Sequence, residues 1–284
     1  MAFLDNNLIN WRITNHNIGK FSDLALGAAD VIALKGDFNN DGRSDIALIK
    51  TGTYDKSVSK YWGLDVWGSD IPLALSMNHG RWKIIISNDK SFPSNGLPTW
   101  VRAEKLSQHF FFTGDFDGNG STDIAALRPP SIGVALSKPD ADWSFAESNS
   151  DKWSLYNIYF TGNFDDNKNT TEIALFSTKS NSSTMPVASY TNNGDWQFSN
   201  CTSASSAGNF SSWAGEKNVE ILTGDFDGDG RTDIALIRKE AGWNTIPVAL
   251  SRANSSNCHP TSAFHPPPPC LETCNEERDM CAEY

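Results

Sequence analysis

The chain has 284 residues, of which 39% are hydrophobic, and carries a formal net charge of −11 at pH 7. This length and apolar content suffice for one large domain or two ordinary ones, and they argue against disorder over most of the chain. The acidic balance excludes a nucleic-acid partner, which would require a basic surface, and no apolar run reaches the roughly 20 residues of a membrane span.

In chain order, the first predicted element is a short strand, WRITN, at 11–15. The apolar segment DVIALKGDF at 30–38 follows and leads into an acidic loop, GDFNNDGRSD, and then into a further apolar strand, IALIK. Near-copies of this loop and strand recur in phase, at 36–50, 114–128, 162–176 and 224–238. Repeats of this kind predict a modular, repeated fold.

Two further elements recur between the acidic loops. The first is a short β-branched strand, often entered through a proline, at 69–76, 131–137, 184–190 and 245–251. The second is an aromatic-centred strand, at 81–87, 142–148 and 195–200. Each repeat therefore holds about four short strands, which is typical of a β-propeller blade. No segment shows a useful 3.6-residue helical periodicity.

The two ends of the chain are in complementary phase. After 245–251 the last repeat lacks its remaining strands, and the N-terminal strand at 11–15 corresponds to the strand at 195–200. We therefore predict an all-β fold: a propeller of four blades with four strands each, closed by N-terminal strands that complete the last blade. It would occupy residues 1–257. Residues 258–284 form a Pro/Cys-rich tail outside it, in which PPPP favours an extended segment.

Each acidic loop offers oxygen ligands at alternate positions, followed by a glycine turn. Hard cations such as Ca²⁺ take six to eight oxygen ligands of this kind, whereas Mg²⁺ keeps more of its waters. The predicted ligands are Asp37, Asn39, Asp41, Arg43 through its carbonyl, and Asp45; Asp115, Asp117, Asn119, Ser121 and Asp123; and Asp225, Asp227, Asp229, Arg231 through its carbonyl, and Asp233. The alternative is that these acids only cap turns. A bound ion is expected to stiffen the turn and not to catalyse a reaction.

The third loop departs from this pattern. Asn163, Asp165 and Asn167 hold its first ligand positions, but Lys168 replaces the glycine and an extra residue displaces the last acid to Glu172. We predict that this site is weak or empty.

The chain contains ten tryptophans. Aromatic rings stack on the apolar faces of sugars, with nearby polar groups reading the hydroxyls. The candidates for ligand binding are Trp67 and Trp243, which precede β-branched strands, and Tyr61 and Trp62, which lie in an insertion unique to the first repeat. The remaining aromatics are predicted to pack in blade cores (Trp11, Trp82, Trp143, Trp196) or at blade junctions (Trp153, Trp213).

Four of the five cysteines lie in the last 27 residues, at Cys258, Cys270, Cys274 and Cys281. Their spacing fits no standard zinc pattern, so disulfides in an oxidising compartment are favoured over a zinc site. The first residues show no basic stretch followed by an apolar core, and no signal peptide is predicted. A mature secreted domain with an added Met would look the same, and a secreted or extracellular protein is predicted.

The segments TGDFDGDGRTDIALIR, GWNTIPVALS and GNFSSWAGEKNVEILTGDF resemble the FG-GAP/VCBS repeats of integrin-like propellers, and most of all the fungal N-acetylglucosamine-binding propeller lectins. The resemblance covers residues 8–256. It implies Ca²⁺ in the loops and sugar pockets between blades. The predicted function is therefore a non-enzymatic, calcium-stabilised lectin that binds glycans or glycoproteins, with homo-oligomerisation left open. The alternative is a protein-interaction or adhesion propeller that binds no sugar. No catalytic triad, nucleophile elbow or phosphate loop is present in the sequence.

Overall fold

The computed structural model describes ten stretches of the chain, at 13–15, 21, 31–50, 71–85, 109–139, 143–165, 167–178, 185–199, 204–240 and 243–252. Trp11, Tyr61, Trp62, Trp67 and the predicted tail lie outside these residues. No helix within the described stretches is long and apolar enough to cross a membrane.

The described residues form an all-β fold of four antiparallel sheets, each built from consecutive strands. Sheet 1 holds β1 (Val31–Gly36), β2 (Asp45–Lys50), β3 (Leu73–Met77) and β4 (Arg81–Ile85). Sheet 2 holds β5 (Phe110–Gly114), β6 (Asp123–Arg128), β7 (Ser131–Ser137) and β8 (Trp143–Asn149). Sheet 3 holds β9 (Ile158–Gly162), β10 (Glu172–Phe176), β11 (Val187–Tyr190) and β12 (Trp196–Ser199). Sheet 4 holds β13 (Val219–Gly224), β14 (Asp233–Arg238) and β15 (Val248–Ala249).

The predicted strand order is confirmed in sheets 1 to 3, where each repeat forms a four-stranded meander with its acidic loop between the first two strands. Three prolines stand just before the third strand of a sheet, where no ladder N–H is required of them. Their carbonyls accept from the second strand instead: Pro72 from Leu48, Pro186 from Leu175 and Pro247 from Leu236, at 2.9–3.0 Å.

The sheets pack face to face in chain order. We call the face of a sheet that contacts the next sheet its trailing face, and the face that contacts the preceding sheet its leading face. Apolar clusters fill the spaces between sheets 1 and 2, sheets 2 and 3, and sheets 3 and 4. Trp143 and Trp196 are buried in the first two clusters, and Trp153, in a short 3₁₀ helix between sheets 2 and 3, is completely buried. The predicted core and junction roles of these tryptophans are confirmed.

A repeated pair of hydrogen bonds, which we call the clasp, joins each of the first three acidic loops to the next sheet. The first residue of the loop donates its N–H to a threonine Oγ1 and accepts, through its carbonyl, from the N–H of the same threonine. The pairs are Asp37 with Thr122 (2.9 and 2.6 Å), Asp115 with Thr171 (3.1 and 2.6 Å) and Asn163 with Thr232 (3.0 and 2.5 Å). Glycine precedes each loop because a Cβ there would overlap the threonine; at Gly36 it would lie 2.5 Å from Thr122 Cγ2.

Replacing Thr171 by valine should destabilise the chain by about 1–2 kcal/mol. Valine has nearly the same shape, but it leaves the part-buried N–H of Asp115 without its side-chain acceptor. The measurement is urea unfolding followed by tryptophan fluorescence. Thr223→Val is the matched control, because Thr223 is an exposed residue of β13. Equal free energies of unfolding for the two variants would mean that the clasp adds nothing to stability.

One helix was not predicted from the sequence. Helix α1 (Ala204–Ala214) joins sheet 3 to sheet 4, and its sequence, ASSAGNFSSWA, is dominated by small residues. Its sequence carries few large apolar residues, and of these the buried Phe210 lies with Ala214 in the cluster between sheets 3 and 4. Tertiary packing therefore stabilises this helix more than its periodicity does.

Two described N-terminal stretches, residues 13–15 and residue 21, lie beside sheet 1 in positions that have counterparts elsewhere in the fold. Phe21 is buried on the leading face of sheet 1 with Leu48 and Ala74, as Phe210 is buried beside sheet 4. Thr14 lies so close to Gly80, in the turn between β3 and β4, that a Cβ on this glycine would overlap it. Gly194 lies beside Ala146 of β8 in the corresponding turn of sheet 3. Residues 13–15 thus lie where the fourth strand of a preceding sheet would lie, although they are not paired as a strand.

Candidate metal loops and ligand cavity

The first acid of each acidic loop shapes the turn. Asp37 accepts from the N–H groups of Asp41 and Gly42 at 3.0 and 2.8 Å. Asp225 accepts from Gly228 and Gly230 at 2.7 and 2.9 Å. The carboxylate therefore draws the loop backbone around itself, and the glycines adopt the positive φ that this tight turn requires, 82° at Gly42 and 86° at Gly230.

In the first, second and fourth loops the last acid is buried and joins the start of its loop to the third strand of the sheet. Asp123, which is fully buried, accepts from Phe116 N at 2.8 Å and from Ser137 N at 2.7 Å. Asp45 makes the same pair of bonds to Phe38 N and Ser76 N, and Asp233 to Phe226 N and Ser251 N. Both carboxylate oxygens thus have backbone donors, which identifies this acid as a structural bridge between the first and third strands. The sequence pattern gave no sign of this bond, because the second donor lies on the third strand, 14 to 31 residues after the acid.

Burial raises the pKa of the Asp123 carboxyl to about 8, and the negative charges of Asp117 and Asp115 contribute in the same direction. Burial likewise raises the pKa of the Asp45 and Asp115 carboxyls. In the third loop burial raises the pKa of Glu172 to about 7, and its oxygens accept from Phe164 N and Thr170 Oγ1. Glu172 therefore takes the position of the last aspartate of the other loops and keeps its bond to the start of the loop, while its donor Thr170 lies within the loop and not on the third strand.

Two of the loops bring three carboxylates together within the described residues. Ligand atoms of Asp115, Asp117 and Asp123 lie within 4.8 Å of one another, as do those of Asp225, Asp227 and Asp229. Three predicted ligand residues also have a buried side-chain oxygen that accepts no hydrogen bond: Asn39 Oδ1, Ser121 Oγ and Asn163 Oδ1.

Cationic side chains lie close to the predicted sites in the first and fourth loops. Arg43 forms an ion pair with Asp41 and donates through Nε to Ser76 O at 3.0 Å, and Arg231 pairs in the same way with Asp229. Lys168, which replaces the glycine of the third loop, extends toward the next loop, where a Cβ on Gly230 would lie 2.6 Å from its Nζ. Of the complete loops, the second has Ser121 in place of the arginine that pairs with an acid in the first and fourth loops.

A cavity of about 260 Å³ lies at the opposite end of sheet 2 from the acidic loop. It is lined by the turn between β6 and β7, where the Pro129–Pro130 bond is cis, and by polar side chains from three strands and the segment before β5. The polar lining residues are His109, Arg128, Ser131 and Glu147. None of these was predicted from the sequence, although Arg128 and Arg238 occupy equivalent repeat positions at the end of the second strand.

Trp243 follows the second strand of sheet 4, at the end of the sheet that corresponds to this cavity. Its ring is half-buried against the cluster between sheets 3 and 4, and the Arg238 guanidinium lies 6.0 Å from its centroid. Arg238 also pairs with Glu216 at 2.9 Å. Trp243 thus combines a packing role with a partly open face beside a cation and a carboxylate.

No protein-family model matches the sequence, and no curated protein matches it. Among solved structures, the fold matches that of an Agrocybe aegerita lectin, described as specifically recognising non-reducing terminal N-acetylglucosamine. The sequences are 16% identical and the TM-score is 0.50; the match covers 79% of this chain and 50% of the lectin chain. The chain therefore spans about half the length of this lectin and shares its fold.

Proposed function

We propose that this protein is a calcium-stabilised lectin with repeated glycan pockets, and that its sheets are the blades of a β-propeller. The observation that carries the proposal is a polar cavity at the end of sheet 2 in a fold shared with an N-acetylglucosamine-recognising lectin. The proposed ligand is a glycan with N-acetylglucosamine-type sugars, and the proposed setting is extracellular. An N-terminal strand, of this chain or of a second copy, is proposed to complete sheet 4.

The chemistry of the cavity suits a sugar. Arg128 and Glu147 supply a charged donor and a charged acceptor, and Ser131 a hydroxyl. Such groups form hydrogen bonds with the hydroxyl and amide groups of a sugar, while apolar surface contacts the ring. The corresponding end of sheet 4 offers Trp243 beside Arg238. Several weak pockets on one molecule would together hold a multivalent glycan far more tightly than one pocket.

The chemistry of the loops suits a hard cation. Carboxylate, amide and hydroxyl oxygens are the ligands that Ca²⁺ prefers, and the unpartnered buried oxygens of Asn39, Ser121 and Asn163 would gain a partner. Asp115, Asp117, Asn119 and Ser121 would hold the ion in the second loop. The bound ion would neutralise the clustered carboxylates and hold the turn. No reaction is assigned to it.

Replacing Trp243 by alanine should lower the affinity for a bound glycan by about tenfold, since loss of an aromatic contact to a ligand is worth about 1–2 kcal/mol. The measurement is a glycan array, followed by titration of the best glycan in competition with free N-acetylglucosamine. Trp243→Phe is the matched control, because it keeps an aromatic ring and most of the packing against sheets 3 and 4.

Arg128→Gln tests the cavity of sheet 2 in the same assay, with circular dichroism to verify the fold. If neither substitution alters glycan binding, the proposed pockets are wrong. If the array shows no glycan binding at all while a protein partner is captured regardless of added sugar, the lectin proposal fails in favour of an interaction module.

A further inference from the structure

We propose that the trailing face of sheet 4 is a docking surface for the leading face of sheet 1 of a second copy of this chain. Sheet 4 is the last of the described sheets, and its trailing face carries large apolar side chains that remain exposed. They are Leu222, Phe226, Ile246 and Leu250, with 38%, 48%, 62% and 37% of their surface accessible.

The same amino acids occupy the equivalent positions of sheet 1, where they are covered. Leu34 packs in the cluster between sheets 1 and 2, and Phe38, Ile71 and Leu75 are only 0%, 4% and 4% exposed there. Phe116 and Phe164, the equivalents of Phe226 in sheets 2 and 3, are 1% and 6% exposed. The trailing face of sheet 4 therefore has the composition of an inter-sheet interface, because sheet 1 buries identical residues in one.

The hydrogen-bonding groups of sheet 4 are also those of an interface. Asp225 is the equivalent of Asp37, Asp115 and Asn163, each of which forms a clasp with the next sheet. Among the described residues no clasp is formed by Asp225. Gly224 has the space that a clasp needs, since the nearest neighbour of a Cβ there would be the ring of Phe226, at 3.4 Å.

The leading face of sheet 1 provides the matching half. Ser44 stands at the position of the clasp residues Thr122, Thr171 and Thr232, and it keeps the hydroxyl and the N–H that the clasp uses. Ser44 is exposed and is not bonded to Asp225, although both residues are described. The chain therefore carries the two halves of a fourth clasp on opposite ends of its row of sheets, and in this structure they are not joined.

The rest of the leading face of sheet 1 also resembles the leading faces of sheets 2 to 4, which cover the trailing faces of sheets 1 to 3. Ile46, Ala74 and Trp82 are equivalent to Ile124, Ala135 and Trp143 of sheet 2, which pack on sheet 1. Phe21 packs on this face in the same way that Phe210 packs beside sheet 4. Thr14 lies where an outer strand of the preceding sheet would lie. Because sheet 4 has three strands in the described residues, a docked second copy would supply the outer strand it lacks.

A head-to-tail interface of this kind closes into a ring if its rotation permits. Two copies bring eight sheets, which is within the range of four to eight blades typical of propellers. The aligned part of this chain also accounts for only half of the lectin chain that shares its fold. We therefore expect a dimer in which each sheet 4 meets the sheet 1 of the other molecule.

The experiment is sedimentation equilibrium of the full chain and of two interface variants. Phe226→Ser alters only the trailing face, and Ser44→Arg places a bulky charge on the leading face. The wild-type chain should be a dimer at micromolar concentration, and each variant alone should associate about a hundredfold more weakly, as expected for the loss of a buried interface anchor. Leu155→Ser is the control, since Leu155 is 63% exposed but lies in the 3₁₀ helix between sheets 2 and 3.

Mixing the two variants provides the decisive test. Phe226→Ser keeps a native leading face and Ser44→Arg keeps a native trailing face, so an equimolar mixture should recover dimers through the one intact pair of faces. A wild-type chain that stays monomeric up to hundreds of micromolar would overturn the proposal, and would indicate that the chain covers its own face. A dimer that survives both substitutions, or a mixture that fails to recover, would also overturn it.

Discussion

Calcium should raise the melting temperature of the purified chain by about 5–10 °C, and EDTA should remove this gain. A ligand at one hundred times its dissociation constant stabilises the folded state by about 2.7 kcal/mol, and each kcal/mol shifts the melting temperature of a domain of this size by about 2–4 °C. The effect is expected because the loops gather carboxylates, such as Asp115, Asp117 and Asp123, that repel one another without a cation.

The calcium experiment can be made specific to one loop. Asp117→Ala removes a carboxylate that accepts hydrogen bonds from Asn119 within the same loop. The number of calcium ions bound in isothermal titration calorimetry should fall by one, while the melting temperature in EDTA should change little. Asp151→Ala, outside the loops at the start of the 3₁₀ helix, is the control and should keep the full number. An identical melting curve in calcium and in EDTA would refute a structural role for the metal.

Much of the fold could be predicted because its determinants are local and repeated. The acidic loop, the entry through proline and the aromatic strand each recur in phase, and each became a turn or a strand of the expected type. Pro72 and Pro247, for example, lie just before the third strands of sheets 1 and 4. Alternating patterns of this kind carry their own strand signal, so no knowledge of distant contacts was needed.

The contacts between repeats could not be predicted in the same way. The clasp joins Asp37 to Thr122, 85 residues later, and nothing near either residue marks the pairing. Helix α1 also escaped prediction, because its small residues give little periodicity and its stability depends on the buried Phe210. The cavity beside Arg128 arises from side chains of separate strands. These features depend on how sheets stack, which a single repeat does not encode.

The candidate metal ligands fall into two kinds, exposed or half-exposed acids that bond within their own loop and buried acids that bond beyond it. The motif treats its acids as equivalent oxygen donors, but the structure separates them by their partners. Asp117 is half-exposed and accepts from Asn119 of its own loop, whereas Asp123 is buried and bonds to the start of the loop and to the end of β7. A residue of the first kind serves a bound ion, and one of the second kind also serves the fold in the absence of any ion. The two kinds should therefore respond differently to substitution.

Asp123→Ala should destabilise the metal-free chain by about 3 kcal/mol or more. The substitution leaves the N–H groups of Phe116 and Ser137 without an acceptor in a buried site, and each unsatisfied buried group costs about 1–3 kcal/mol. The measurement is urea unfolding in EDTA, so that any contribution of a bound ion is absent from both proteins. Asp117→Ala, measured under the same conditions, is the matched control and should lose less than about 1 kcal/mol.

The reason for expecting a large difference is that Asp123 is a tertiary contact and not only a loop residue. Its two bonds connect the start of the acidic loop, at Phe116, to the end of β7, at Ser137. Asp45 and Asp233 make the same contact, and Asp45→Ala should therefore cost a similar free energy. If the Asp123→Ala and Asp117→Ala variants lose equal free energies of unfolding in EDTA, the two buried bonds of Asp123 add no stability of their own. Asp123 would then contribute no more to the fold than an acid that bonds only within its loop.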